Sequence, residues 1–382
     1  MVSVEALATR ATRGLVAFRG WLLQSGIQSD RGFFYDWYEL NTASPGRPYP
    51  EITGYGVSTL VWLYRLDKDE DVLARASAAA GWLVSHALHP SYDLVFARGA
   101  ARDRGLGSKP YLYAFDTGMA GAALARLGAI TGEATWRGSL EGIAHALSTR
   151  MKRSDGTLWP LLDPRSGRPV TGDDAWSSRF SGYQAKTISF LSLDGSDGPD
   201  APLDDVVRKT LESQRDSGAF PAYGDGQAHL HAHFYAVEGL LGSRSVPGLP
   251  PVDDAVVRGY LYAERLLAAN GFLPTLAHDH HVTAAYERVD GLAQFLRLGC
   301  VLVSLGWLGR DRLDRTLDGA ASRLLDYQVE GTSHNGGFLF GTDADGTPKP
   351  HVNSWGSFFA GQALHWFSLV RDGGHPEPGE LV

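Results

Sequence analysis

Residues 118–130 read GMAGAALARLGAI, and the preceding helical stretch at residues 70–88 reads EDVLARASAAAGWLVSHAL. The first segment is small and apolar on every side, the mark of a helix enclosed all round by protein. The second sets charged residues on one face and apolar ones on the other, so it keeps one side in water. The contrast recurs along the chain. GLAQFLRLGCVLVSLGW at 291–307 and GSFFAGQALHWFSLV at 356–370 are of the enclosed kind, and RDRLDRTLDGAASRLLDYQ at 310–328 is of the two-faced kind. Helical periodicity predicts twelve helices, near residues 4–25, 52–66, 69–88, 114–131, 133–151, 181–194, 202–215, 231–242, 252–270, 288–307, 311–329 and 354–371. No alternating strand run stands out, so the fold class is all-α. Enclosed and surface helices that alternate in sequence make concentric inner and outer rings. The expected architecture is therefore an (α/α)6 toroid of six helical hairpins, with residues 1–382 as one domain.

The connectors support a repeat. Each long connector into an inner helix opens on a similar turn: Gly32-Phe33-Phe34, Gly156-Thr157-Leu158, Gly218-Ala219-Phe220, Gly271-Phe272-Leu273 and Gly337-Phe338-Leu339, with Asp93-Leu94-Val95 as a looser sixth copy. Glycine frees the backbone just past an outer helix, and the apolar residues after it plug the barrel mouth. Composition narrows the partners. A net charge of −8 disfavours nucleic acid and anionic membrane surfaces, and no apolar run is long enough to span a bilayer. The lone Cys300 excludes an internal disulfide framework and a thiolate metal cluster. The amino-terminal stretch lacks the pattern of a secretory signal, so a cytoplasmic location is expected. Ten Trp, fifteen Tyr and sixteen Phe are available to line a cleft and stack on a ligand.

In such a toroid all six inner helices begin at one end, so polar and aromatic residues at those starts converge on a shared bowl. Five candidates for acid–base chemistry emerge from this filter: Glu51, Asp116, His231, His233 and Asp290. Trp37, Tyr49, Tyr55, Tyr113, Trp176, Arg179, Tyr183, Tyr235, Arg288, Asn353 and Trp355 are the expected substrate-binding residues. Glu51 follows Pro50 in a first helical turn, where free N–H groups hold a carboxylate ionised, which suits a base. An acid of raised pKa needs burial against apolar rings instead. Asp116, Asp290 and Ser354 also read as simple helix caps. His229 and His233, four apart, share a helix face from which His231 points away. With no HExxH pattern, these and His278, His280 and His281 do not make a metal site, and no metal is expected.

Five stretches, YPEITGYGVSTLVWL (49–63), YAFDTGMAGAAL (113–124), HAHFYAVEGLL (231–241), RVDGLAQFLRLG (288–299) and HVNSWGSFFAGQAL (351–364), resemble the six-hairpin carbohydrate-active superfamily. That group includes the N-acylglucosamine 2-epimerases, the unsaturated glucuronyl hydrolases and the D-glucuronyl C5-epimerases. The resemblance implies a small sugar or oligosaccharide substrate and catalysis with no cofactor, by proton transfer at a sugar carbon or by water addition. The first expectation is glycosidic bond cleavage with Glu51 and Asp116 as the carboxylates. The second is a uronic acid or amino sugar epimerase or isomerase, in which Arg179, Arg288 or Arg297 holds developing charge. The third is a non-catalytic saccharide-binding protein of a polysaccharide pathway.

Overall fold

The computed structural model describes residues 4–96, 111–170, 175–194 and 203–382. In chain order its helices are α1 (Val4–Gln24), α2 (Pro50–Asp67), α3 (Glu70–Trp82), α4 (Ala114–Thr131), α5 (Ala134–Thr149), α6 (Gln184–Ile188), α7 (Leu191–Asp194), α8 (Leu203–Ser213), α9 (Leu230–Ser243), α10 (Asp253–Asn270), α11 (Val289–Ser304), α12 (Asp318–Asp326) and α13 (Ser354–Arg371). The inner ring closes on itself: α2 packs on α4, α4 on α6, α6 on α9, α9 on α11, α11 on α13, and α13 on α2. Helices α1, α3, α5, α8, α10 and α12 stand outside it, each packed on an inner helix, and α12 also packs on α1. The enclosed segments of the sequence are the inner helices, and Cys300 is buried in α11.

Two details depart from the sequence reading. The sixth segment is not one helix: α6 ends at Ile188 and α7 starts at Leu191. The Ser189 and Ser192 hydroxyls donate to the carbonyls of Lys186 and Ser189, competing with the helical ladder at the break. The second departure is a genuine hairpin, β6 (Pro274–His278) with β7 (His281–Glu287), whose alternating exposure along HVTAAYE went unread. Its edge pairs with β5 (Ala228–His229), just as β3 (Leu112–Tyr113) pairs with β4 (Leu161–Leu162), and β8 (His351–Asn353) with β1 (Trp37–Glu39). These short sheets stitch the connectors around the mouth of the ring. At the other end residues 378–382 fold underneath it, and Leu381 and Val382 are buried there.

The connector turns follow one geometry. Gly32, Asp93, Gly156, Gly218, Gly271 and Gly336 all have positive φ, between 54° and 97°. In the last repeat the residue concerned is Gly336, one position before the Gly337 expected from sequence. A Cβ on Gly336 would overlap the Ala17 carbonyl of α1, so this turn seats the final connector against the first helix. Gly32 sits the same way on Ala78 of α3.

Two residues beyond each turn a buried backbone N–H needs an acceptor, and in five of the six repeats the next inner helix supplies it. Phe34 N donates to Thr53 Oγ1 (3.0 Å), Val95 N to Thr117 Oγ1 (2.9 Å), Phe220 N to His233 Nδ1 (3.1 Å) and Phe338 N to Ser357 Oγ (2.9 Å). All four acceptors stand at the fourth residue of their helix. The three hydroxyls also donate to the carbonyls of the N-cap residues Tyr49, Tyr113 and Asn353. In the remaining repeats Gln184 accepts from Leu158 N and Glu287 from Leu273 N.

Orphaning such an amide is costly, whereas losing a hydroxyl that merely shares a helix carbonyl is not. Thr53→Val, Thr117→Val and Ser357→Ala are each expected to lose about 1–3 kcal/mol of unfolding free energy in urea titrations. Thr59→Val is the control: buried in the same helix as Thr53, its hydroxyl donates only to the Tyr55 carbonyl. Its loss is expected to stay below about 0.5 kcal/mol.

Candidate functional site

Residues two apart on an α-helix point about 200° apart, so if the fourth residue faces outward to its connector the second faces the bowl. The second residues are Glu51 of α2, Phe115 of α4, His231 of α9, Asp290 of α11 and Trp355 of α13. The N-caps before them, Tyr49, Tyr113, His229, Arg288 and Asn353, are extended and crown the same rim. Most of the expected site residues are therefore gathered at one end of the toroid.

On the α2–α4 side, Asp116 is buried and its carboxyl is pushed well above the ordinary range, first by burial and then by the negative charge of Glu51. Glu51 also acts on Tyr55 and Tyr235, whose hydroxyls are raised chiefly by burial. Asp116 in turn contributes to the raised pKa of Tyr113, after burial. Glu51, Asp116, Tyr55, Tyr113 and Tyr235 thus share one electrostatic neighbourhood. A buried carboxyl whose pKa is raised beside a helix-start carboxylate is the arrangement that suits an acid facing a base.

On the α9–α11 side, Asp290 receives both Arg288 donors, the Trp355 indole N–H at 2.7 Å and its neighbour Gly291 N at 2.7 Å. Burial opposes its charge, but Arg288, His231 and these donors bring its pKa well below the usual carboxylate range. Arg288 also donates to His229 Nε2 at 3.2 Å. Burial lowers His231 to about 4 despite the pull of Asp290. It lowers His229 too, with Arg288 adding to the effect. Both imidazoles are neutral at physiological pH, so either is a base or a hydrogen-bond acceptor and not a standing cation.

Trp176 bridges the two sides. Its ring lies 5.1 Å from Tyr183, 6.0 Å from Phe115, 6.0 Å from His229, 6.0 Å from His231 and 6.1 Å from Tyr235. The His231 ring lies 4.3 Å from Tyr235, tilted 56° to it. Trp37 lies 5.5 Å from His351 at the β1–β8 rim, half-buried. The result is a bowl lined with aromatic faces and carrying a carboxyl pair on one wall and a neutral histidine on the other.

Four expectations change. His233 is not in the bowl: Nδ1 accepts from Phe220 N and Nε2 donates to Gly259 O at 3.0 Å, so both ring nitrogens are spent between the rings. It stands where other repeats use Thr or Ser. Nor do His229 and His233 share a face, because His229 precedes the helix in extended conformation. Asn353 caps α13 through Gly356 N at 2.8 Å, in place of Ser354, whose hydroxyl donates to Tyr35 O. The Tyr183 hydroxyl is likewise directed at backbone, toward Ser177 O and Arg179 O, which holds the Trp176 turn in place. Arg179 is exposed at the edge of that turn. His229 and Gln294 are site residues the sequence reading did not select. His229 shares its position with the N-cap tyrosines, and Gln294 lies four residues after Asp290, on its face of α11.

No family model and no curated protein matches the sequence. Solved structures do match in shape. Cellobiose 2-epimerase from Spirochaeta thermophila superposes with a TM-score of 0.76 at 13% identity, over 94% of this chain and 98% of its own. A D-mannose isomerase gives 0.73 at 10% identity over 94% and 97%. An unsaturated glucuronyl hydrolase specific for heparin gives 0.68 at 12% over 96% and 98%. The chain is an (α/α)6 toroid. At these identities the likeness is one of fold, and the chemistry of this toroid has to be read from its own bowl.

The neutral histidines make acid stability a direct check. His231 and His233 each titrate near 4 when folded and near 6.5 when unfolded. Their stabilisation is present above the unfolded value and is lost as pH falls through 6.5 toward 4. At pH 5 each contributes a loss of about 2 kcal/mol. The melting temperature is expected to drop steeply between pH 7 and pH 5. His233→Thr, which restores the anchor used in other repeats, should make that drop shallower.

Proposed function

We propose that the protein is a carbohydrate-active enzyme that cleaves a glycosidic bond in this bowl. The observation that carries the reading is the carboxyl pair, with Asp116 buried at the start of α4 and its pKa raised by that burial and by the charge of Glu51. In this mechanism Asp116 gives its proton to the glycosidic oxygen while the bond to the anomeric carbon breaks. Glu51 takes a proton from the water that adds to that carbon, so the charges of the pair are exchanged and then reset through solvent. Trp176, Tyr113, Tyr49, Trp37 and Trp355 offer the ring faces on which a sugar stacks. Arg288 and Asp290 offer polar contacts at the far wall, and His231 accepts from a sugar hydroxyl.

A sugar epimerase or isomerase is the second reading. What favours it is His231, a neutral base beside the Arg288–Asp290 pair, together with the fold shared with an enzyme named as a cellobiose 2-epimerase and another named as a D-mannose isomerase. In either case residues 1–382 work as one catalytic domain, in the cytoplasm, on a small or oligomeric sugar and with no cofactor.

Cellobiose, mannose and heparin-derived disaccharides, incubated with the protein in deuterated water and followed by NMR, separate the readings. Glycosidic cleavage yields new reducing ends and no deuterium at a ring carbon that was not released. Epimerisation or isomerisation installs deuterium beside the carbonyl. Binding without either product would overturn both. Asp116→Asn is expected to lower turnover at least about 100-fold in the cleavage reaction. Unimpaired turnover by that variant would remove Asp116 from the mechanism.

A further inference from the structure

Beneath the bowl lies a buried polar chain that the reaction above does not use. Glu238 of α9 is buried at the centre of the toroid, and its carboxylate takes Lys186 Nζ on Oε2 (2.5 Å) and Arg297 on Oε1 (Nη2 at 2.6 Å, Nε at 3.1 Å). Burial opposes its charge, but Arg297 first and then Lys186, whose own pKa burial brings down to about 7, outweigh it and hold the group ionised. An ionised carboxylate only accepts hydrogen bonds. Gln294, fully buried, sits against the same Oε1 at 3.3 Å and must therefore turn its amide nitrogen toward Glu238. Its carbonyl oxygen is then aimed the other way, at His231 Nδ1, 2.7 Å distant.

An amide oxygen also only accepts, so Nδ1 of His231 carries the ring proton. Asp290 Oδ2, 3.5 Å from the same nitrogen, adds a second acceptor and favours the same tautomer. Nε2 is left as the lone-pair nitrogen, and it makes no hydrogen bond among the described residues. We infer that Gln294 is a positioning residue: locked by Glu238, it fixes the tautomer of His231 so that the lone pair of Nε2 is presented to substrate in the bowl. The inference rests on the sugar-chemistry reading for its purpose, but the tautomer itself does not. The chain is one of relayed direction, from two cations through Glu238 and Gln294 to a single imidazole nitrogen. His231 then meets a sugar as an acceptor, able to take a hydroxyl or carbon-bound proton but not to donate one.

Long-range proton–nitrogen NMR of histidine-labelled protein tests it, with His231 assigned by its disappearance in His231→Asn. The expected wild-type spectrum shows a pyridine-type Nε2 and a protonated Nδ1 for this residue. A protonated Nε2 would overturn the inference without any variant being needed. In Gln294→Leu the Nε2 signal is expected to move toward the average of the two tautomers. On whichever sugar is turned over, kcat should fall about 10- to 100-fold while KM stays within about twofold. An unchanged tautomer or an unchanged kcat in that folded variant would also overturn it. If no sugar is turned over, the reaction proposed above fails, whereas the NMR result still decides the tautomer.

Discussion

A buried peptide N–H just beyond each connector turn must find an acceptor, and the site depends on where it finds one. Thr53, Thr117, His233 and Ser357 meet this demand from the fourth residue of their helices. Once that residue is turned outward, helix geometry leaves no choice about the second, which is turned inward. Glu51, Phe115, His231 and Trp355 are therefore delivered to one bowl by bonds in which none of them takes part. A register error of one residue in any of these four helices would orphan the amide and rotate the inward-facing side chain by about 100° together, so a single penalty guards both.

The second constraint is charge. Six polar helix starts in a closed ring are too many to leave unpaired, and the structure divides them. Arg288 neutralises Asp290 at the rim, and Arg297 and Lys186 neutralise Glu238 at the centre. Stacks of Tyr55, Tyr235 and Phe359 lie against the same cations, with Lys186 Nζ at 5.3, 4.8 and 5.4 Å from their ring centres. Against this compensated background the Glu51–Asp116 pair stands out, since burial and then the charge of Glu51 push the Asp116 carboxyl up.

The ring architecture was legible because it is written in composition: an inner helix apolar on all sides and an outer one with a wet face look different at a glance. The collection of residues at the mouth was also legible, since it follows from that architecture alone. What escaped the sequence reading was local register. His231 and His233 are chemically identical letters two positions apart, and only the alignment of YPEIT, YAFDT, HLHAH and NSWGS by their N-caps reveals that the last letter of each is an anchor. The β6–β7 hairpin was hidden by Ala284 and Ala285, weak strand formers on a half-exposed ribbon. Asp116 as the raised carboxyl needed the neighbouring helix, because its shift comes from burial and from Glu51, 65 residues earlier.

The seam between the last inner repeat and α1, where Gly336 lies on the backbone of Ala17, has a bearing on how the chain reaches this state. Residues more than 300 positions apart must meet before either circle of helices is whole. During synthesis the earlier hairpins emerge with one flank unpaired, so they remain a partial arc until residues near 336–371 leave the ribosome. Completing the bowl is consequently a non-local event that carries the closure entropy of nearly the whole chain.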